Sequence, residues 1–175
     1  IVDQYIACDA IGVSAEAPVM VVKELETREY LGGAGVVAAH VKGLGAKVDF
    51  LSVVGKDANA EFVKEQLNKY KISHKLIIDP CRPTTFKIRY MVENQKLFRV
   101  SRLQDHSISR ELEDQIIEYL IDVAPRIDGI LVSDFVYGVI TERILEVLVE
   151  LKSKHGLMLF GDTQCSSQIG NIDKM

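Results

Sequence analysis

The run from residue 130 to residue 160, ILVSDFVYGVITERILEVLVELKSKHGLMLF, decides the fold. Ile130 to Val132 is a short unbroken apolar stretch, the pattern of a strand covered on both faces. Thr141 then stands where an N-cap belongs, and Ile144, Leu145, Leu148 and Leu151 recur at helical spacing. Lys152 and Lys154 lie near the end of that helix and Gly156 stops it. Leu157 to Phe160 is a second apolar strand, so the segment reads strand, helix, strand: a βαβ unit with parallel strands.

The same rhythm extends upstream. Gly32-Gly33-Ala34-Gly35 opens a helix with Val37, Val41 and Leu44 on one face and Gly45 just past its end. A strand follows over Val48 to Val54, and Asp57 caps a helix whose stripe is Phe62, Val63, Leu67 and Tyr70. Leu76 to Ile78 forms a short strand. Ser109 caps a helix with Glu111 and Glu113 in its first turn and Leu112, Ile116, Ile117, Leu120 and Ile121 facing inward. The expected fold class is α/β, a parallel sheet with helices on both faces.

Two stretches depart from this pattern. Thr85 to Val92 and Lys96 to Arg102 alternate with period two around Glu93-Asn94-Gln95, which predicts an antiparallel hairpin. Phe86, Ile88, Tyr90 and Val92 fall on one side of it, Lys87 and Arg89 on the other. Pro18 to Leu25 is a further extended run. These pieces are expected to form a small antiparallel sheet standing off the α/β layer.

Composition narrows the function. The chain has 175 residues, 47% hydrophobic and 26% charged, which fits one domain or part of one. A net charge of -4 offers no basic footprint for nucleic acid, so no nucleic-acid partner is expected. Cys8, Cys81 and Cys165 show no Cys-x-x-Cys spacing and read as reduced thiols. No apolar run approaches the ~18 residues of a membrane span, and no leader pattern opens the chain. A soluble, untargeted, cytoplasmic protein without a membrane partner is the expectation.

Candidate chemistry is concentrated in a few places. The Gly32-Gly33 turn at a helix N-terminus can let a ligand approach the main chain closely, although it equally suits a turn needed only for close packing. It is not a P-loop, which needs Gly-Lys-Ser/Thr. Asp134 and Asp162 each end a strand of the same βαβ unit, at the rim where open α/β sheets bind ligands. Lys87 and Arg89, two residues apart on one strand face, can point at a single anion; a solvated face is the competing explanation. His40, His74, His106 and His155 have no ligand spacing, and neither a metal site nor a Ser/His/Asp elbow is visible.

Several segments follow one another as in a known family: Asp3-Gln4-Tyr5, Ser14-Ala15-Glu16-Ala17-Pro18-Val19, Gly32-Gly33-Ala34, Gly43-Leu44-Gly45-Ala46, Val54-Gly55-Lys56-Asp57, Arg82-Pro83-Thr84-Thr85, Asn94-Gln95 and Ser133-Asp134-Phe135. In them the chain resembles the ribokinase-like (phosphofructokinase-B) carbohydrate kinases, and most closely the heptose-7-phosphate kinase half of the bifunctional kinase/adenylyltransferases of ADP-heptose synthesis. The resemblance covers almost the whole chain. It implies a single partial sugar-kinase domain over residues 1–175, with lid strands at about 18–31 and 84–103 and an α/β core at about 32–83 and 104–175. It also implies a sugar or sugar phosphate under a β-lid, ATP and Mg2+ as cofactors of the full-length enzyme, and a homodimer built through the lid.

By the same resemblance, Asp3 holds sugar hydroxyls, and Gly32 and Gly33 let the sugar reach the helix. Lys87, Arg89 and Arg99 reach the substrate and its phosphate, and Asp134 is a rim residue beside it. Four positions depart from the family pattern. Val36 replaces an Asn, Ser101 an Asp, and Tyr137 a Lys, while Asp162-Thr163-Gln164-Cys165 stands in place of Asp-Pro-Lys-Gly. The family's catalytic Asp, in a Gly-Ala-Gly-Asp segment, does not occur by Met175, and a first strand is missing ahead of Ile1. The expectation is therefore the N-terminal, substrate-holding portion of a kinase, incomplete at both ends and inactive alone. A non-catalytic sugar-binding or regulatory module is the alternative; a generic nucleotide-binding domain is disfavoured by the lack of a phosphate loop.

Overall fold

The computed structural model describes residues 1–164. Cys165, named above, lies outside them. The chain runs β1 (Val2–Val13), β2 (Met20–Leu31), α1 (Ala34–Gly43), β3 (Asp49–Val54), α2 (Ala58–Lys69), β4 (Ser73–Ile78), β5 (Phe86–Val92), β6 (Gln95–Arg102), α3 (Arg110–Val123), β7 (Gly129–Asp134), α4 (Glu142–His155) and β8 (Met158–Thr163). Strands β3 and β4 pair in parallel across α2, and β7 and β8 pair in parallel across α4, so both βαβ units are present. No helix among the described residues is long and apolar enough to cross a membrane.

Helices α2, α3 and α4 begin where their caps dictate. Asp57 accepts from the Ala60 N–H at 3.0 Å, Ser109 from Leu112 at 3.4 Å and Thr141 from Ile144 at 3.4 Å. Each bond satisfies a donor that the first helical turn leaves free. Gly156, at φ 67°, closes α4 in the left-handed region that favours glycine. Three residues placed inward by periodicity are exposed: Leu44, Tyr70 and Ile121. Leu44 and Tyr70 are C-caps, past the last turn that faces the core, and Ile121 sits at the margin of the α3 stripe.

The remaining strands form one sheet in the order β2-β1-β5-β6. β1 runs parallel to β5, and the other two pairs are antiparallel. The hairpin turns on Glu93 at φ 51°, a left-handed residue in a tight loop between twisted strands. Strand β1 has no counterpart in the sequence reading, because its inward alternation of Val2, Ile6 and Cys8 is broken by Gln4. That amide is satisfied laterally, donating to Glu29 on β2 at 2.7 Å. The sheet does not stand free of the α/β layer. Phe86 and Ile88 pack with Val2 and Ile6 against Ala38 of α1, Phe50 of β3 and Val63 and Leu67 of α2. A second core joins α3 and α4 to β3, β4 and β7 through Ile116, Leu120, Leu148, Val53, Ile77 and Val132.

One polar knot fastens the connections. The buried Arg82 donates from Nε to Asp79 Oδ2 at 2.7 Å, from Nη1 to the Tyr137 carbonyl at 3.0 Å and from Nη2 to the His106 carbonyl at 3.0 Å. Beside it, Thr84 accepts from the Gly55 N–H at 2.9 Å and donates its own N–H to Asp57 Oδ2 at 2.8 Å. Burial opposes the Asp57 charge, but the hydrogen bonds from Thr84 and Ala60 outweigh it and hold its pKa below the ordinary value. Gly55 has no room for a side chain, since a Cβ would lie 2.5 Å from the Arg82 carbonyl.

Arg82→Met removes the cation while leaving Asp79 buried and charged, so unfolding in urea should show a loss of about 3–5 kcal/mol. A loss below about 1 kcal/mol would mean that the knot does not carry the connections.

Candidate functional site

The register of the four-stranded sheet lays the candidate residues out in rows. Tyr30, Asp3, Lys87 and Ser101 form one row across it, and Arg28, Tyr5, Arg89 and Arg99 form the next. Residues in adjacent rows two apart along a strand share a face, so Asp3, Lys87, Arg89 and Arg99 lie on one side of the sheet. This is the face opposite Phe86 and Ile88.

Within that layout Asp3 and Arg89 form an ion pair, with Arg89 Nη1 2.8 Å from Asp3 Oδ1, although the N–H is not aimed along the contact. The Arg89 guanidinium also lies 5.2 Å from the Tyr5 ring, which meets Tyr30 edge-on at 5.9 Å. Gly32 is required here: a Cβ would come within 2.6 Å of the Asp3 carboxyl carbon. Asp3 borders a cleft of about 460 Å³ with Tyr5, Tyr30, Val36, His40 and Tyr70. Val36 thus puts an apolar wall beside the carboxylate.

Lys87 occupies a different environment. Only 7% exposed, it carries its Nζ 5.0 Å from the Phe135 ring and 5.1 Å from the Tyr137 ring. Among the described residues no carboxylate pairs with it. Gly33, at φ 51°, leaves the space Phe135 uses, since a Cβ would lie 2.8 Å from that ring. Arg99 sits across the ladder from Arg89 and is exposed.

Asp134 precedes Phe135, whose ring lies beside Lys87. It is 4% exposed; Oδ1 accepts from the Val136 N–H at 2.8 Å, and Oδ2 is buried without a partner. Burial pushes its pKa up. Asp134 borders a second groove, of about 780 Å³, with Asp105, Ser107, Arg110 and Thr141. The pairing of Asp134 with Asp162 expected from sequence is not formed. In the β7–β8 ladder Asp134 faces Thr163 and Ser133 faces Asp162, so the two carboxylates point to opposite sides and Asp162 is exposed.

The loop after β7 is strained. Val136, a β-branched residue, adopts φ 59°, a conformation that costs on the order of 1–3 kcal/mol and concentrates at functional sites. Asp134 and Arg82 hold it from either side through the Val136 N–H and the Tyr137 carbonyl. Sequence reasoning gave no role to Tyr5, Phe135 or Arg82 and took Tyr137 only as a lost lysine. Local pattern shows none of them facing a residue roughly fifty to eighty positions away.

The comparisons with known proteins agree with this architecture. Residues 1–171 match the family model described as pfkB family carbohydrate kinase, and the chain belongs to that family. The protein named Bifunctional protein HldE from Geotalea uraniireducens (strain Rf4) is 33% identical over 165 residues, covering 94% of this chain and 34% of that protein. The protein of the same name from Campylobacter jejuni subsp. jejuni serotype O:2 is 36% identical over 150 residues, 85% of this chain and 31% of that protein. The chain therefore spans about a third of the length of these relatives. Among solved structures, phosphofructokinase-2 from Escherichia coli in complex with fructose-6-phosphate superposes with a TM-score of 0.67 at 15% identity, over 95% of this chain and 53% of that one. Ribokinase from Giardia lamblia gives 0.64 at 14%, over 91% and 51%. The fold is that of the ribokinase-like sugar kinases, of which the chain covers about half.

Asp134 makes a pH prediction whose sign follows from its burial. A carboxyl with a raised folded pKa binds its proton more tightly when folded, so stability falls as pH rises from about 4 through the folded pKa. Asp134→Asn keeps the acceptor for Val136 and removes the buried charge. It should melt higher than wild type at pH 7, with the gap closing as pH falls toward about 4. A gap that is constant with pH would show that the Asp134 carboxyl is not the group responsible.

Proposed function

We propose that the chain is the sugar-holding part of an ATP-dependent carbohydrate kinase whose substrate is a phosphorylated sugar of the heptose 7-phosphate type. The observation that supports this most strongly is the single polar face on which a tethered carboxylate, Asp3, stands beside the cations Lys87, Arg89 and Arg99. A carboxylate accepts hydrogen bonds from sugar hydroxyls, and clustered cations hold a phosphate, so one face can grip both ends of a sugar phosphate. The Arg89 contact fixes Asp3, and Gly32 and Gly33 leave room for the Asp3 carboxylate and the Phe135 ring at the start of α1, where the sugar would approach.

ATP would supply the γ-phosphoryl group, with Mg2+ offsetting its charge, when both are bound to the full-length enzyme. Among the described residues no group of three or more His, Cys, Asp or Glu is placed to hold a metal ion. Mg2+ in such enzymes is held largely by the phosphates it bridges and by one or two carboxylates, and the part assigned to the residues above is to bind and orient the sugar. A non-catalytic sugar-binding module is the second reading; Val36, which replaces a polar position in the wall of the Asp3 cleft, favours it.

Calorimetry with a heptose 7-phosphate on the full-length protein, alongside ADP release in the presence of ATP, tests the proposal. Lys87→Ala should weaken sugar-phosphate binding by roughly 1.5–3 kcal/mol, the scale of a hydrogen bond to a charged group. The 175-residue chain alone should bind the sugar but release no ADP. Sugar binding without turnover by the full-length protein would favour the binding module, and an unchanged affinity in Lys87→Ala would remove that residue from the site.

Assembly forms part of the same proposal: a homodimer through the lid sheet. Ile88 cannot contribute, since it is buried in its own subunit. Phe98, Val100, Val19 and Met20 remain exposed on or beside the lid, and an isologous contact would cover them. Phe98→Asp should turn a sedimenting dimer into a monomer; a monomeric wild type, or a dimer indifferent to Phe98→Asp, would defeat the proposal.

A further inference from the structure

We infer that Phe135 and Tyr137 are positioning residues for Lys87, forming an aromatic slot that presents its ammonium to an anionic ligand group as a cation without a competing carboxylate. The inference rests on the sugar-phosphate reading of the basic face and adds to it how that face is kept available.

Three observations meet at Lys87. Its row neighbours form no ion pair with it: Asp3 meets Arg89 instead, and the residue on the other side is Ser101. Its ammonium lies about equally close to two rings, at 5.0 and 5.1 Å. The loop that carries those rings is built to bring both there. Phe135 and Tyr137 flank Val136, whose left-handed backbone folds the chain back on itself so that both rings reach one ammonium. Gly33 makes room for the first ring, and the Arg82 bond to the Tyr137 carbonyl fixes the backbone of the second.

A carboxylate partner and a ring slot have opposite consequences for a ligand. An ion pair satisfies the ammonium, and an incoming phosphate must then compete with a charge already in place. Ring faces attract the cation through their quadrupole while leaving it formally uncompensated and with N–H donors to spare. Holding the long side chain in place also removes part of the ordering cost of binding. The slot thus selects a phosphate or similarly charged group at the position Lys87 reaches.

The test uses the full-length protein and two readouts. In the first, a heptose 7-phosphate is titrated by calorimetry into wild type, Tyr137→Leu, Tyr137→Phe, Phe135→Leu, Lys87→Met and the double variant Lys87→Met/Tyr137→Leu. Tyr137→Leu and Phe135→Leu should weaken binding roughly 3- to 30-fold, the range of a cation–π contact, and Tyr137→Phe should restore it. The double variant should bind no more weakly than Lys87→Met alone, because the ring acts through the ammonium. Losses that multiply in the double variant would overturn the inference. The second readout needs no ligand: the rate at which acetic anhydride acylates Lys87, followed by mass spectrometry. Tyr137→Leu should raise that rate several-fold and Tyr137→Phe should leave it near wild type; equal rates in all three proteins would overturn the slot. If the acylation pattern holds and wild type binds no sugar phosphate, the proposed function fails and the slot stands.

Discussion

The buried guanidinium of Arg82 is the constraint from which much of the remaining structure follows. It meets one carboxylate and two backbone carbonyls, so its charge and all three donating nitrogens are satisfied away from water. A buried ion pair of this kind contributes little net stability compared with an apolar replacement, but removing half of it is costly. Its structural effect is geometric: the connection after β4, the segment before α3 and the loop after β7 are all drawn to one planar group. A lysine could not do this, having no fixed fork of donors. The left-handed Val136 persists because its flanking groups are fixed, with the preceding carboxylate bound to its N–H and the following carbonyl bound to Arg82.

The four-stranded sheet resolves two demands by alternation. Its inward residues supply part of the core against α1 and α2, while the intervening residues gather charge on the other face. Because β1 runs between β2 and β5, the charged rows extend across the sheet rather than along a single hairpin. Asp3 and Arg89 come together from strands more than eighty residues apart, and Lys87 sits one row away with its ammonium turned to aromatic rings. The face therefore offers acceptor and donor groups side by side without cancelling them all.

The two βαβ units were legible because caps, stops and apolar stripes are local, and Asp57, Ser109, Thr141 and Gly156 act within a few residues of where they stand. β1 was not legible, because Gln4 interrupts its inward pattern and is satisfied by Glu29 on another strand. Of the candidate site, the charges were visible from alternation on β5. Their environment was not: which carboxylate meets Arg89, and which rings meet Lys87, depends on register and on the path of a loop about fifty residues later. The Asp134 and Asp162 pair misled for the related reason that strand ends can be adjacent while their side chains point oppositely.

Two uncharged residues far apart in sequence, Ser101 and Tyr137, acquire a common physical meaning once Lys87 is placed. Ser101 is its neighbour across the β5–β6 ladder, and Tyr137 provides one of its two rings. Neither residue carries a formal charge, so neither neutralises nor repels the ammonium beside it. Ring contact therefore stands where charge pairing is lacking, and the strained loop held by Arg82 makes that contact possible. Lys87 is thus held by ring faces and backbone geometry rather than by an opposite charge, on a fold that its distant structural relatives share at about 15% identity.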